Sequence, residues 1–316
     1  MIPNETPAVV LIFFRRTDCA ARCLDGFRGN RPPRLWLVQD GPRPWVGDDR
    51  EACATARRAV EEAIDWPCEV RRLYAEENLG PSRRIQSALD TVFASEEGAV
   101  VLEEDCIPHR DFLPFCGQML GRYAQDARVG QVSGCQFVPG GWIPAGGADY
   151  SFAQLAQIWG WATWRRCWER FDPRLSDWPS FRRSPDFNRV FPAGRDRRYW
   201  RKRLDAVHAG KMDVWDYRWA FTRWRHGMLG IVPRVNLVSY AGFREDALHT
   251  KGAHPAADLP CTPLPPRTLR PPEVVADREL DAATAGILFS EGGFPAWWRY
   301  QREQRLRTIW RRMTGR

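Results

Sequence analysis

Gly98-Ala-Val-Val-Leu-Glu-Glu-Asp105 is apolar at every position as far as Leu102 and then ends on three consecutive carboxylates. A segment that is apolar throughout, rather than at alternate positions, is the pattern of a strand covered on both faces, as in a parallel sheet. Upstream, Pro7-Ala-Val-Val-Leu-Ile-Phe-Phe14 has the same character. Between the two, Arg34-Leu-Trp-Leu-Val-Gln39 stops at the turn Asp40-Gly41-Pro42, and Glu69-Val-Arg-Arg-Leu-Tyr74 is closed by Asn78-Leu-Gly-Pro81. The intervening stretches 18–27, 51–64 and 82–94 carry helical periodicity, the last with Ser82 placed as its N-cap. Downstream, the pattern predicts a helix over 112–125 and a strand over 129–133. The order β-α-β-α-β-α-β-α-β specifies an α/β fold with a mostly parallel, doubly wound sheet and a ligand site at the carboxyl ends of its strands.

The 316 residues are 44% hydrophobic and 27% charged, which excludes wholesale disorder. No apolar run approaches the ~20 residues of a membrane-spanning helix, and the run ending at Phe14 has no basic leader or small-residue cleavage site. Nine scattered cysteines, an odd number, are expected to be reduced and buried, as in a cytoplasmic protein. The net charge of +8 is carried by arginine, since Lys202, Lys211 and Lys251 are the three lysines. Phosphate-rich partners suit that bias. Sixteen tryptophans concentrate between positions 159 and 224. Beyond Gly140 the order reads as Gly/Trp loops and short helices, followed by a Pro-rich segment and a basic C-terminal helix.

The predicted strand ends bring Arg15, Arg16, Asp40, Asn78 and the Glu103-Glu104-Asp105 run to one edge. Three carboxylates there repel one another unless a cation sits among them. Hard oxygen ligands of this kind suit Mg2+ or Mn2+, held by one or two carboxylates together with substrate phosphates. A solvated acidic turn is the alternative. No Gly-x-Gly-x-x-Gly follows the first strand, which argues against a nicotinamide dehydrogenase, and there is no Walker loop. Asp216, within Val214-Trp-Asp-Tyr-Arg-Trp219, is a carboxylate flanked by indoles that desolvate it and raise its basicity, so it is the candidate general base. Asp213, one turn earlier, is the second candidate.

Leu37-Val-Gln-Asp-Gly41, Ala99-Val-Val-Leu-Glu-Glu-Asp105 and Asp111-Phe-Leu-Pro-Phe115, in that order, resemble the nucleotide-sugar domain of GT-A glycosyltransferases. Within that family the pattern is most similar to the Golgi N-acetylglucosaminyltransferases that initiate complex N-glycans. It is also similar to bacterial hemolytic, HlpA-like proteins through Gly160-Trp-Ala-Thr-Trp164, Trp215-Asp-Tyr-Arg-Trp219, Asn236-Leu-Val-Ser239, Gly242-Phe243 and His249-Thr250. The resemblance covers residues 7 to 270.

The resemblance implies a division of labour. Asp105 matches the carboxylate that binds Mn2+ or Mg2+ between diphosphate oxygens, and His249 matches a late histidine that approaches the metal. Glu104 and Glu103 match the groups facing the ribose and the sugar, with Glu104 standing where the family has Asp. Asp40 matches the reader of the uracil ring, and Arg16 an arginine near the nucleotide. Arg15, Asn78 and Arg84 join the nucleotide-sugar set, although Arg15 replaces Asn and Arg84 replaces a base-contacting His. Cys135-Gln136 is a further departure. Trp159, Trp161, Trp164 and Trp215 form a candidate platform on which a sugar ring stacks, with core packing the alternative and expected for some of them.

Residues 1–140 are then the nucleotide-sugar-binding half, 141–258 the acceptor half, 259–294 a Pro-rich connection with a short helix, and 295–316 a basic amphipathic tail helix. The expected activity is a metal-dependent, inverting transfer from a nucleotide-diphosphate sugar, UDP-linked in preference, to an acceptor hydroxyl. The acceptor is a glycan, a lipid-linked molecule or a small molecule. Peripheral contact of the tail with an anionic membrane is a further expectation, and no nucleic-acid partner is expected. The alternatives are a basic, Trp-rich membrane-active or nucleic-acid-binding protein, and a GT-A-like domain that binds nucleotide without turnover.

Overall fold

The computed structural model describes residues 6–242, 256–265 and 268–289. Its first half alternates as the sequence predicts: β1 (Ala8–Phe13), α1 (Thr17–Arg28), β2 (Arg34–Gln39), α2 (Asp49–Glu62), β3 (Glu69–Tyr74), α3 (Pro81–Ser95) and β4 (Gly98–Glu103). These four strands lie in the order β3-β2-β1-β4, all parallel. The chain winds outward from β1 to β3 and then crosses back to set β4 on the other side of β1. Between the carboxyl ends of β1 and β4 the winding reverses, which is where open α/β sheets leave a crevice for ligands. Ile12 pairs with Glu103, so the residues after both strands emerge side by side.

The remaining elements are β5 (Cys106–Pro108), α4 (Phe112–Arg122), β6 (Val129–Ser133), β7 (Tyr150–Ala153), β8 (Trp161–Trp164), α5 (Arg165–Trp168), α6 (Trp178–Phe181), α7 (Pro185–Val190), α8 (Gly194–His208), α9 (Trp215–Arg225), β9 (Leu229–Pro233), β10 (Val238–Tyr240) and α10 (Arg278–Leu288). The sheet continues beyond β4 as β8-β6-β9-β7, and β5 pairs with β10 in a separate antiparallel ribbon. Strand β8 runs antiparallel to both β4 and β6. One sheet of eight strands therefore spans the two halves read from the sequence. A second aromatic core, built around Trp178, Phe187, Trp200, Phe221 and Trp224, holds α6 to α9 together. Among the described residues no helix is long and apolar enough to cross a membrane.

Three expectations are corrected. The Gly160–Trp164 segment is not a loop but ends in a strand, β8, inside the sheet. Trp161 and Trp164 are buried, at 1% and 2% exposure, and Trp215 packs against Trp161 at a ring separation of 5.8 Å. The Trp164 indole N–H donates to the Leu120 carbonyl at 2.9 Å. These three indoles are core, and no sugar can stack on them. Trp159 alone of the four is half-buried, and it stacks on Tyr240 at 4.1 Å. Gly160, at φ +70°, makes this packing possible, because a Cβ there would lie 2.7 Å from a Val238 methyl. A four-residue strand that runs directly into a helix is too short for alternation to declare itself.

Second, Ser82 is not the N-cap of α3. The helix begins at Pro81 behind Gly80, whose φ of +77° lies in the left-handed region open to glycine. Third, α4 ends at Arg122 rather than at 125.

The core assignment of Trp161 carries a direct consequence. Trp161→Ala is expected to lower stability by about 3–5 kcal/mol in chemical denaturation, the cost of truncating a buried tryptophan. An indole on an exposed sugar platform would lose far less.

Candidate functional site

At the reversal of winding, the carboxylates that close β4 meet the arginine that follows β1. The Arg16 guanidinium donates Nε–H to Glu104 Oε1 at 2.6 Å and Nη2–H to Asp105 Oδ2 at 2.7 Å. The other Glu104 oxygen accepts the Phe14 backbone N–H at 2.9 Å. Both acids are buried, at 5% and 6% exposure, so the cation demanded by the acidic run is in the first instance Arg16. Burial works against a charged Arg16, but Glu104 and Asp105 outweigh it and hold the guanidinium protonated. Glu103 does not share in this pairing. Burial, and then the charges of Asp105 and Asp216, keep its carboxyl well above the ordinary range. The strand after this site also presses on it: Ala241 N–H donates to the Asp105 carbonyl at 2.8 Å, and a Cβ on Gly242 would lie 2.7 Å from Asp105 Oδ2.

The end of β2 is fastened differently. Asp40 Oδ1 accepts backbone N–H groups of Gly41 and Leu79, each at 2.9 Å, and Oδ2 accepts Gly80 N–H at 2.9 Å. The Asn78 amide reaches Asp40 Oδ2 at 3.2 Å and the Gly41 carbonyl at 2.8 Å. Asp40 thus ties the β3–α3 loop to the β2 turn, and its carboxylate is spent largely on the chain itself. Arg84, on the first turns of α3, donates to the Leu73 carbonyl, while its buried Nε has no partner among the described residues. Burial lowers its pKa, with Asp40 opposing.

Arg15 turns away from this cluster. It pairs with Asp48 at 2.6 Å and with Asp49, whose side chain is fully buried. Arg43 grips the same Asp49 through Nε at 2.5 Å, Nη2 at 2.8 Å and its backbone N–H at 3.1 Å. Sequence reasoning passes over Arg43, because a loop arginine between prolines carries no motif. The Cys135-Gln136 departure is likewise structural. Gln136 bonds to the Pro233 carbonyl and the Val138 N–H, each at 3.0 Å, and the Cys135 thiol lies 2.9 Å from the Trp159 carbonyl.

Together these elements wall a cleft of about 510 Å³, lined by Phe14, Arg16, Asp40, Arg43, Trp45, Asn78, Arg84, Ile85, Glu103, Glu104 and Asp213 among others. Seven residues singled out from the sequence meet there: Arg16, Asp40, Asn78, Arg84, Glu103, Glu104 and Asp213. The aromatic and apolar part of the wall, Phe14, Trp45 and Ile85, carries no sequence motif that would have found it. Asp213 bonds to Arg218 at 2.8 Å. Asp216, on the first turn of α9, lines a separate, smaller cavity and lies close enough to Glu103 for its charge to be felt. Among the described residues no group of three or more His, Cys, Asp or Glu side chains is arranged to hold a metal. His249 and the tail helix over 295–316 fall outside the described residues.

No protein-family model matches the chain, and no curated protein matches it. Several solved structures are similar to it at low identity. A mannosyltransferase from Pyrobaculum calidifontis, in complex with GDP-Man and Mn2+, is 18% identical over 70% of this chain and 71% of its own, with a TM-score of 0.39. A glucosyl-3-phosphoglycerate synthase from Mycobacterium tuberculosis, with Mn2+, UDP-glucose and phosphoglyceric acid, is 15% identical over 51% of this chain and 58% of its own, with a TM-score of 0.29. A cytidylyltransferase from Leptospira borgpetersenii is 12% identical over 63% and 73% of the two chains, with a TM-score of 0.32. The comparisons lend no support to the finer resemblance to N-acetylglucosaminyltransferases or HlpA-like proteins.

The Arg15–Arg43–Asp49 cluster predicts a pH dependence. Arg43, against the opposing effect of burial, draws the Asp49 carboxyl down to about 2 from an ordinary value of 3.8. A depressed folded-state pKa adds stability above the unfolded value and loses it as pH falls through the folded one. The stability gap between wild type and Asp49→Asn is therefore expected to narrow by about 2 kcal/mol between pH 5 and pH 2. Urea unfolding across that range measures it.

Proposed function

We propose that the chain is a glycosyltransferase that holds a nucleotide-diphosphate sugar in the cleft at the carboxyl ends of β1 and β4 and transfers the sugar to an acceptor hydroxyl. The observation that carries this reading is the convergence, at the reversal of winding, of Arg16, Arg84, Asp40, Asn78, Glu103 and Glu104 on one cleft. A crevice in that position, with buried cations and carboxylates, suits a charged nucleotide. The resemblance of Ala99–Asp105 to the GT-A signature supports the same conclusion from the sequence side.

The departing nucleoside diphosphate needs its developing charge neutralised in a partly dry site, where electrostatic stabilisation is usually the largest contribution to rate. Arg16, already paired with the acidic edge, is the protein cation placed for that task. The carboxylates fit a divalent ion of the kind that binds through one or two oxygens plus substrate phosphates, with Asp105 as its holder. When bound, such an ion supplies further neutralisation of the diphosphate. Asp216 receives the acceptor's proton: the acceptor oxygen bonds to the anomeric carbon, the bond from that carbon to the diphosphate oxygen breaks, and configuration inverts. Asp213, on the cleft wall, is the second candidate for the base. The sugar is a hexose or an N-acetylhexosamine, and UDP the preferred carrier.

Calorimetry with UDP, with and without Mn2+, tests donor binding. A ligand at about 100 times its dissociation constant is expected to add about 2.7 kcal/mol of stability. Asp105→Asn should abolish the Mn2+-dependent part of that gain, measured against the variant's own unliganded stability, which the loss of a carboxylate beside Arg16 lowers. Asp216→Asn should keep donor affinity near wild type yet cut turnover about 100- to 10,000-fold, the usual cost of losing a general base. Wild-type turnover in Asp216→Asn would move the base to Asp213. Loss of nucleotide binding in that variant would place Asp216 in the donor site.

A further inference from the structure

Trp45 is 75% exposed, yet it lines the cleft beside Phe14, Arg43, Asp40 and Asn78. A large indole left in water on a cleft rim marks a contact surface when the chain goes to the length of holding it in place. Here it does. The segment Pro42-Arg43-Pro44-Trp45 has two residues with fixed φ. Turn hydrogen bonds link Val46 N–H to the Arg43 carbonyl and Asp49 N–H to the Val46 carbonyl, both at 3.2 Å. Arg43 is fastened to the fully buried Asp49 by its guanidinium and its backbone N–H, and Arg15 closes the same cluster from the β1 side. The Arg43 guanidinium also lies 5.4 Å over the Phe14 ring, and both side chains line the cleft with Trp45.

We infer that Trp45 is the stacking platform for the nucleobase of the bound nucleotide, an inference that rests on the donor-site reading above. The complementary observation is the state of Asp40. Its two oxygens are occupied by Gly41, Leu79, Gly80 and Asn78, so little hydrogen-bonding capacity remains for reading a base edge. Recognition then falls to the ring face, which every base possesses. The site holds the base of a nucleoside diphosphate through stacking, and a preference for uracil then rests on groups other than Asp40.

Calorimetric titration of UDP and of GDP into the full chain, for wild type and for Trp45→Ala, Trp45→Leu and Trp45→Phe, tests it. Removing a stacking partner is expected to weaken both nucleotides by about 10- to 100-fold in the Ala variant. Leu should be as weak as Ala, because it keeps apolar bulk without a π-face, and Phe should stay near wild type. The thermal midpoint of each unliganded variant should match wild type, since the side chain is exposed. Wild-type affinity in Trp45→Ala, or in Trp45→Leu, overturns the platform while leaving the donor site standing. A wild-type chain that binds neither nucleotide overturns both.

Discussion

A single guanidinium between two buried carboxylates organises this molecule. Arg16 follows β1 and Glu104-Asp105 follow β4, and their contacts at 2.6 and 2.7 Å join the two strands where the sheet reverses its winding. Burying ions is expensive unless each is paired and hydrogen-bonded, and removing one partner of such a set typically costs about 3–5 kcal/mol because the others remain buried without it. Glu104 meets that demand fully, with the Phe14 N–H on its second oxygen. Arg16, Glu103 and Glu104 from this region line the crevice, so a cation and two acids share its wall.

Two other fastenings hold the crevice open around that centre. Asp40 collects three backbone N–H groups and so fixes the β3–α3 loop, and with it the position of Gly80 and the start of α3. Asp49 collects Arg15 and Arg43 and fixes the loop after β2. In both cases a carboxylate that sequence inspection would assign to solvent or to a ligand instead shapes the wall of the cleft. Preorganised walls of this kind reduce the ordering cost of binding.

The far side of the cleft depends on aromatic packing. β8 enters the sheet between β4 and β6 because Trp161 and Trp164 can be buried on either side of it, and α9 then docks through Trp215 and Trp219 against Trp161. Asp213 is delivered to the crevice wall as a result of that docking, and Asp216 to a separate cavity within electrostatic reach of Glu103. The tryptophan-rich half is thus a core that carries catalytic candidates on its edge, with Trp159, stacked on Tyr240, as its half-buried indole.

The sequence by itself determined the parallel half of the sheet and its polar edge. Apolar runs such as Val100–Leu102, Gly/Pro/Asp turns and helical periodicity are local signals, and each acts over a few residues. Such signals suffice to bring Arg16, Asp40, Asn78, Glu103 and Glu104 to one edge, because each of these residues sits directly at or after the end of a strand or in the turn that closes it. Tertiary structure alone decided the rest. Whether Trp161 faces water or lies in the sheet depends on β4 and β6, which are remote from it along the chain. Whether Arg15 or Arg16 serves the acidic cluster depends on Asp49 competing for one of them. Trp45 comes to line a cleft with Phe14, Asn78 and Ile85 only in the folded chain, because burial and ion pairing are set by neighbours distant in sequence that no local pattern records.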